Sequence, residues 1–281
     1  FHEVLKSKEA AVLEEKLETL DPEDRKIIYE RNLENSKESV EAKEDLSVLP
    51  SLQVSDIAKN GLDFPVNVDS KVFSRITNTN GISYVKFKKS MQSAIPLELL
   101  PYLSFFSECL TFLGTKTQDY DEIEDEIKLH TGGVSIGCRA QTSSHDINAS
   151  ELFLEFSGWS LNSKMEHIFD IWVKLLKDTD FSMVKVAKLK TLIKSLSSST
   201  SSSFSDSGHS YAKSYAAASL SKTYSLSEHL GGVKESQFIN KLNTFLNDES
   251  KIQTEIIDKL IFLQKHILHS LKNAPESGIS K

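Results

Sequence analysis

Residues 1–20 set Val4, Leu5, Val12, Leu13, Leu17 and Leu20 among lysines and glutamates. That spacing predicts a helix with one narrow apolar stripe. Asp21-Pro22-Glu23-Asp24 then resets the chain. Asp21 suits an N-cap, Pro22 suits the first helical position, and the acids face the positive end of the new helix. A second helix is predicted from Pro22 to about Lys43 through Ile27, Ile28, Leu33 and Val40. The pair reads as an αα-hairpin over residues 1–48. Its stripes are thin, so it is expected to pack on something else or bridge two bodies, unless it is an ordinary surface hairpin.

The pattern changes beyond Pro50 and Pro65, which frame an irregular stretch. Val72 to Thr79 alternates, and Ile82 to Lys88 alternates again. Asn80-Gly81 lies between them and predicts a β-hairpin. Pro96 opens a helix through Leu99, Leu100, Leu103, Phe106 and Leu110 to Gly114. Apolar residues cover most of its circumference, so it should be buried. Asp119 with Glu122 forms a capping-box pattern for a helix ending at Thr131-Gly132-Gly133, with glycine as a left-handed cap. Strands are predicted at Val134–Gln141 and Glu151–Gly158. The period returns to helical from Ser163, through Met165, Ile168, Phe169, Ile171, Trp172, Leu175 and Leu176. Another helix is predicted over about Ser182 to Leu196. The serine run Ser195–Ser207 has the composition of a linker. Leu189, Ile193, Leu196, Thr200 and Phe204 nevertheless keep helical spacing, which extends the helix into the run. Helices near 209–221, 233–247 and 249–272 complete the chain. The fold class is α+β: an N-terminal αα-hairpin (1–48), then an antiparallel sheet layered with helices (49–281).

Composition narrows the function classes. The chain has 281 residues, 39% hydrophobic and 26% charged, enough to bury a core. The net charge of −7 argues against a nucleic-acid partner. No run of eighteen apolar residues occurs, so no membrane span is expected. Two cysteines, Cys109 and Cys138, exclude a disulfide scaffold and a four-cysteine zinc site. Phe1 sits inside an amphipathic pattern rather than a signal peptide, and the chain reads as a piece excised from a longer protein.

Catalytic motifs are sparse. H-E-x-x-H and H-x-x-E-H, which set two imidazoles on one helical face for zinc, do not occur. His2-Glu3 meets Lys6 where the second histidine should stand. Ser163 occupies the first histidine position before Glu166-His167, and Ser163 with Glu166 reads better as a capping box. His266 and His269 share a helix face but lack a nearby acid. No nucleophile elbow, P-loop or dinucleotide fingerprint appears. Gly132-Gly133 and Gly231-Gly232 read as turns and caps. Cys109 reads as a small core residue. His209, after Gly208, reads as a cap or packed side chain. The sequence offers no constellation for a serine or cysteine hydrolase.

Several blocks together resemble one family. Phe1–Lys16 (FHEVLKSKEAAVLEEK), with LDPEDRK after it, resembles the linker hairpin of presequence proteases. These form the long-chain branch of the pitrilysin and insulin-degrading-enzyme superfamily. Leu110–Gly133, with its FLGT, YDEIEDEI and HTGG strings, resembles the domain that follows. So does Asp206–Gly232 (DSGHSYAKSYAAASLSKTYSLSEHLGG). The blocks recur in order across nearly the whole chain.

The resemblance implies two halves, each of two related α+β domains, joined by the hairpin and closing around a peptide. It places zinc in the first domain, outside this chain, and makes this chain the linker hairpin plus the third, associated domain. Registering Gly114 on the family's glycine puts Glu108 on the catalytic glutamate and Phe105 and Cys109 on the ligand histidines. That implies a degenerate motif at Phe105, Glu108 and Cys109, with no catalytic residue and no metal ligand here. The implied partners are the N-terminal catalytic half and the C-terminal domain of the same polypeptide. The implied whole is a mitochondrial zinc metalloprotease that degrades presequence peptides and other short unstructured peptides, with this segment as hinge and chamber wall. The acidic balance is compatible with steering basic presequences, or simply with solubility. The alternative is a peptide-binding or scaffold domain that works by strand addition without proteolysis. Two departures stand out: the serine run replaces a more mixed helix, and the chain stops where a further strand and a fourth domain would begin. The sheet is therefore expected to lack its last strand.

Overall fold

Ser150–Leu161 alternates strictly between buried and open positions, and the sheet is organised around it. In the computed structural model, which describes residues 21–41, 50, 53–57, 64–91, 95–143 and 145–272, this segment is a central strand. Leu152, Leu154 and Phe156 point into the core, while Phe153, Glu155, Ser157 and Trp159 share the opposite face. The chain forms two compact units, Phe1–Pro65 and Val66–Lys281.

In the first unit, α1 (Pro22–Glu41) begins where Asp21 predicts it. The Asp21 carboxylate accepts the backbone N–H groups of Glu23 and Asp24, both at 2.8 Å. Ile27, Ile28, Tyr29 and Leu33 are exposed. The predicted first helix of the hairpin lies outside the described residues.

The second unit opens with a two-stranded ribbon, β1 (Asn67–Asp69) and β2 (Val72–Ser74). β3 (Ile82–Ser90), β4 (Gly133–Thr142) and β5 (Ser150–Leu161) then form an antiparallel sheet in the order β3-β5-β4. β3 pairs with β5 from Ile82–Leu161 to Ser90–Phe153, and β4 from Gly133–Trp159 to Thr142–Ser150. The hairpin predicted across Asn80-Gly81 does not form. Both residues do adopt left-handed φ, 51° and 80°, and Ile82 N–H reaches Thr79 carbonyl at 3.2 Å. The turn is real, but β2 pairs with β1 and β3 goes to the central strand. Pairing with a strand that carries a buried face outweighs the local partner.

The helices are α2 (Tyr102–Phe112), α3 (Tyr120–His130), α4 (Met165–Asp178), α5 (Val186–Ala217), α6 (Lys222–Gly231), α7 (Val233–Thr244) and α8 (Asp258–Lys272). A turn of helix at Glu249–Lys251 and a π-helix at Ile252–Ile257 lead into α8. α2 and α6 pack on β4, and α4 packs on β5. One core joins them, from Leu103, Phe105 and Phe106 of α2 through Ile168 and Leu175 of α4 to Leu260 and Leu263 of α8. Each large apolar side chain buried there contributes about 1.5–3 kcal/mol relative to exposure.

Of four local expectations, two hold and two do not. The capping box at Asp119 and Glu122 is formed in both directions, as the sequence predicts. That at Ser163 and Glu166 is not: a turn of 3-10 helix occupies Asn162–Lys164, and α4 starts at Met165 with no side-chain cap. α3 ends in an extended Thr131 (φ −133°), so Gly132-Gly133 does not make a left-handed cap. The pair instead makes room for Trp159, since a Cβ on Gly132 would collide with the indole nitrogen. α5 does run through the serine stretch, bending at Ser207 (φ −131°, ψ 28°).

Candidate functional site

α2 carries Phe105, Glu108 and Cys109, the three positions at which a degenerate motif is expected from the sequence. Pro101 precedes it and Gly114 follows, with φ +80°, so its length is set by punctuation at both ends. Tyr102, Leu103, Phe105, Phe106, Ser107, Cys109 and Leu110 are buried. Ser104, Glu108 and Thr111 form the outward stripe at i, i+4 and i+7 spacing. The helix is therefore a core element with one narrow wet edge.

Its polar groups are tied locally. The Tyr102 hydroxyl donates to the Glu255 carbonyl at 2.7 Å, which serves a backbone acceptor inside the π-helix. Its ring meets Phe238 edge-on at 4.6 Å, and burial with the nearby Glu255 pushes the phenol up to about 12. The Ser107 hydroxyl donates to Leu103 carbonyl at 3.1 Å and lies 3.5 Å from Cys138 Sγ. Phe106 stacks on Phe181 at 5.6 Å.

The three motif positions sit in different environments. Phe105 is 1% exposed and Cys109 is fully enclosed. Burial first, and the Glu108 charge second, hold the Cys109 thiol well above its usual range. Glu108 alone reaches solvent. A second carboxylate, Glu235 of α7, faces it and is hydrogen-bonded to Ser104. Burial, reinforced by Glu108, raises the Glu235 carboxyl, and the Ser104 bond opposes that rise. Cys138 of β4 is also pushed up, to about 12, chiefly by burial. Phenylalanine has no donor atom and a neutral enclosed thiol is a poor ligand. The residues at these positions do not fit a zinc ion.

The histidines lie apart from α2. His130 stacks on His167 with ring centroids 4.1 Å apart, joining the end of α3 to the start of α4. His266 stacks on Phe262 at 5.8 Å within α8. His209 is exposed in α5. His229 of α6 is half-buried, and burial first, then Lys234, lowers its proton affinity. Among the described residues no group of three His, Cys, Asp or Glu is placed to hold a metal ion. Cys138 and Ser107 meet inside the core, where burial keeps the Cys138 thiol protonated.

Two carboxylates of this region were not singled out by the sequence. Glu228 is 1% exposed, and its Oε2 accepts the Val233 N–H at 2.9 Å, capping α7. The Gly231-Gly232 that follows it was the legible part of that signal. Glu235 had none, because only the packing of α7 against α2 brings it to Glu108.

A buried helix at the motif position, on an α+β layer, is what an associated domain of a peptidase would present. The chain matches the family model described as peptidase M-16C associated over residues 1–242 and belongs to that family. It is similar to the mitochondrial presequence protease of Saccharomyces cerevisiae, 44% identical over 268 residues, which cover 95% of this chain and 27% of that protein. The namesakes in Kluyveromyces lactis (44%, 95% of this chain and 27% of the relative) and Debaryomyces hansenii (35%, 99% and 27%) match likewise. The chain thus spans about a quarter of the length of the curated relatives it matches. The relatives are mitochondrial, in agreement with the location expected of this chain. No helix among the described residues is long and apolar enough to cross a membrane.

Proposed function

We propose that this chain is the non-catalytic linker and associated segment of a mitochondrial zinc metalloprotease that degrades presequence peptides and other short unstructured peptides. Residues 1–48 are the hinge-forming hairpin and 49–281 the associated domain. The segment supplies a wall of a closing chamber, which admits flexible peptides and excludes folded proteins. Its partners are the N-terminal catalytic half and the C-terminal domain of the same polypeptide. Zinc belongs to the catalytic half, and Phe105, Glu108 and Cys109 are the degenerate remnant of its motif.

The observation that carries this reading is the burial of α2. A helix that points Phe105 and Cys109 into the core has no free face for a metal, a water and a peptide carbonyl. Glu108, exposed but without a metal-bound water to deprotonate, has a structural role beside Glu235. The test is reconstitution. The purified chain mixed with the separately made catalytic half is expected to raise cleavage of a presequence-like peptide above that of the catalytic half alone. An unchanged rate, with binding of the two parts demonstrated, would sink the wall-and-hinge role.

A further inference from the structure

The helices reach the three-stranded sheet on one face. α4 meets it at Gly158, α2 at Cys138 and α6 at Thr142, all on the side that Leu152, Leu154 and Phe156 turn to the core. Successive residues of a strand alternate, so Phe153, Glu155 and Trp159 fall on the other side. Directly opposed residues share a face. The register therefore brings Tyr84, Lys86 and Lys88 of β3 and Arg139 of β4 to that same side. This open face has an aromatic end and a charged end. Tyr84 lies opposite Trp159, and they are 69% and 42% exposed. Trp159 rests over Gly132 and Gly133, which have no Cβ to displace it. Further along β5, about 20 Å from Trp159 at the usual rise of a strand, Phe153 lies opposite Arg139. Lys88 Nζ stands over the same ring, 5.5 Å from its centroid, so Lys88 and Arg139 flank Phe153.

Charge decides the ligand. Lys86 and Lys88 both answer the Glu155 carboxylate, at 3.0 and 3.4 Å. Arg139 is exposed and pairs with no acid among the described residues. With Glu151 at the far end of β5, the face sets Lys86, Lys88 and Arg139 against two carboxylates. A chain of net charge −7 thus keeps a positive surplus on its open sheet face. An unpaired Arg beside a Lys suits one carboxylate, which Arg takes with two parallel N–H bonds. A peptide offers carboxylates from acidic side chains or from its C-terminus. Peptides of mitochondrial targeting composition are amphipathic, Arg-rich and poor in acids, so their C-terminus is the carboxylate that this face meets. The Tyr84 and Trp159 rings suit the apolar side chains of the same peptide.

We propose that the open face of the sheet binds an extended peptide by its end, with the free C-terminal carboxylate at Arg139 and Lys88 and an apolar side chain, about 20 Å upstream, against Tyr84 and Trp159. This rests on the reading of the chain as a wall of a peptidase chamber, and names the part of the substrate that the wall holds.

Peptide binding to the 281-residue chain tests it. The probe is a basic amphipathic peptide without Asp or Glu, labelled at its N-terminus and followed by fluorescence anisotropy at low ionic strength. It is made as the free acid, as the C-terminal amide, and as the amide with one internal Glu. The free acid is expected to bind about fivefold tighter than the plain amide, the scale of an exposed charge pair, and to lose that advantage in added salt. Arg139→Gln, at an exposed position, should bring acid and amide to equal affinity and leave the amide's own affinity unchanged. Equal binding of acid and amide by the wild type, binding of neither, or an acid preference that survives Arg139→Gln overturns the proposal. So does an internal-Glu amide that binds as tightly as the free acid, which would give the face to acidic side chains. Peptide binding that fades as the chain is concentrated also overturns it, since a second copy would then cover the face. The same peptides are given to the chain mixed with the catalytic half. Acid-selective binding with no gain in cleavage would sink the chamber-wall reading and leave the carboxylate site standing. A gain in cleavage without acid-selective binding would do the reverse.

Discussion

α2 and the serine-rich half of α5 are both helical, for opposite reasons. α2 is composed of Tyr, Phe, Ser, Cys and Thr as much as Leu, residues of middling helix propensity. It is held by enclosure: Leu103, Phe106, Cys109 and Leu110 are all 0% exposed. α5 begins the same way, with Leu189 and Ile193 buried, but beyond Leu196 it runs out over the surface. There its serines bond back to their own turn, Ser201 to Ser197 carbonyl at 3.0 Å and Ser203 to Ser199 carbonyl at 2.9 Å. Such bonds neither stabilise a helix much nor keep it straight. The bend at Ser207 follows, spanned by the Phe204 and Tyr211 rings at 4.4 Å. This fold tolerates change where side chains run over the surface and resists it where they are enclosed. α2 is locked by packing, whereas the serine run is free to vary.

Substitutions should separate the two helices, and the largest effect belongs to α2. Phe105→Ala is expected to cost about 3–5 kcal/mol, the usual price of truncating an enclosed aromatic. Urea unfolding followed by circular dichroism measures it, and a loss under about 1 kcal/mol would mean that α2 is not held by enclosure. Next comes Glu228→Ala. It strips the cap from α7 and leaves the Val233 N–H without its acceptor, which should cost about 1–3 kcal/mol by the same measurement.

Acid should act at α3, the helix that connects α2 to the sheet. Asp119 accepts from Lys188 at 2.6 Å and Lys185 at 3.0 Å, and those two bonds hold its carboxyl well below the usual carboxylate range. A group depressed on folding stabilises above its unfolded value, about 3.9, and loses that contribution as pH falls toward its folded value. The side chain is 51% exposed, so the contribution is under about 1 kcal/mol. Asp119→Asn should therefore lower the urea midpoint at pH 7 and do so less at pH 3. The smallest effect is a gain. Ser202→Ala, on the exposed side of α5, should stabilise by about 0.5 kcal/mol and slow amide exchange around residues 198–206.

The readable parts of the sequence were those whose signal is local and whose burial agrees with it. β5 is legible in the alternation of Leu152, Leu154 and Phe156, α2 in its all-round apolar surface, and α3 in the Asp119–Glu122 box. α5 was traced through its serines because Leu196, Thr200 and Phe204 kept the period. The errors have one physical cause, which is that a local signal does not name its partner in space. Asn80-Gly81 promised a hairpin, but β3 found β5. Ser163 and Glu166 had capping spacing, but a 3-10 turn took the position. Gly132-Gly133 looked like a cap and serves Trp159. For the candidate site, the burial of α2 was legible, but Glu235 and Glu228 were not. Their roles exist only once α7 lies against α2 and α6.

A packed α2 whose enclosed Phe105 and Cys109 do not suit a zinc ion should leave the purified chain without bound zinc. Metal analysis of the purified chain, after exposure to zinc and dialysis and alongside a presequence-peptide cleavage assay, tests it most directly. Zinc far below one equivalent per chain and no chelator-sensitive cleavage are expected. About one zinc per chain with cleavage abolished by a chelator would contradict it.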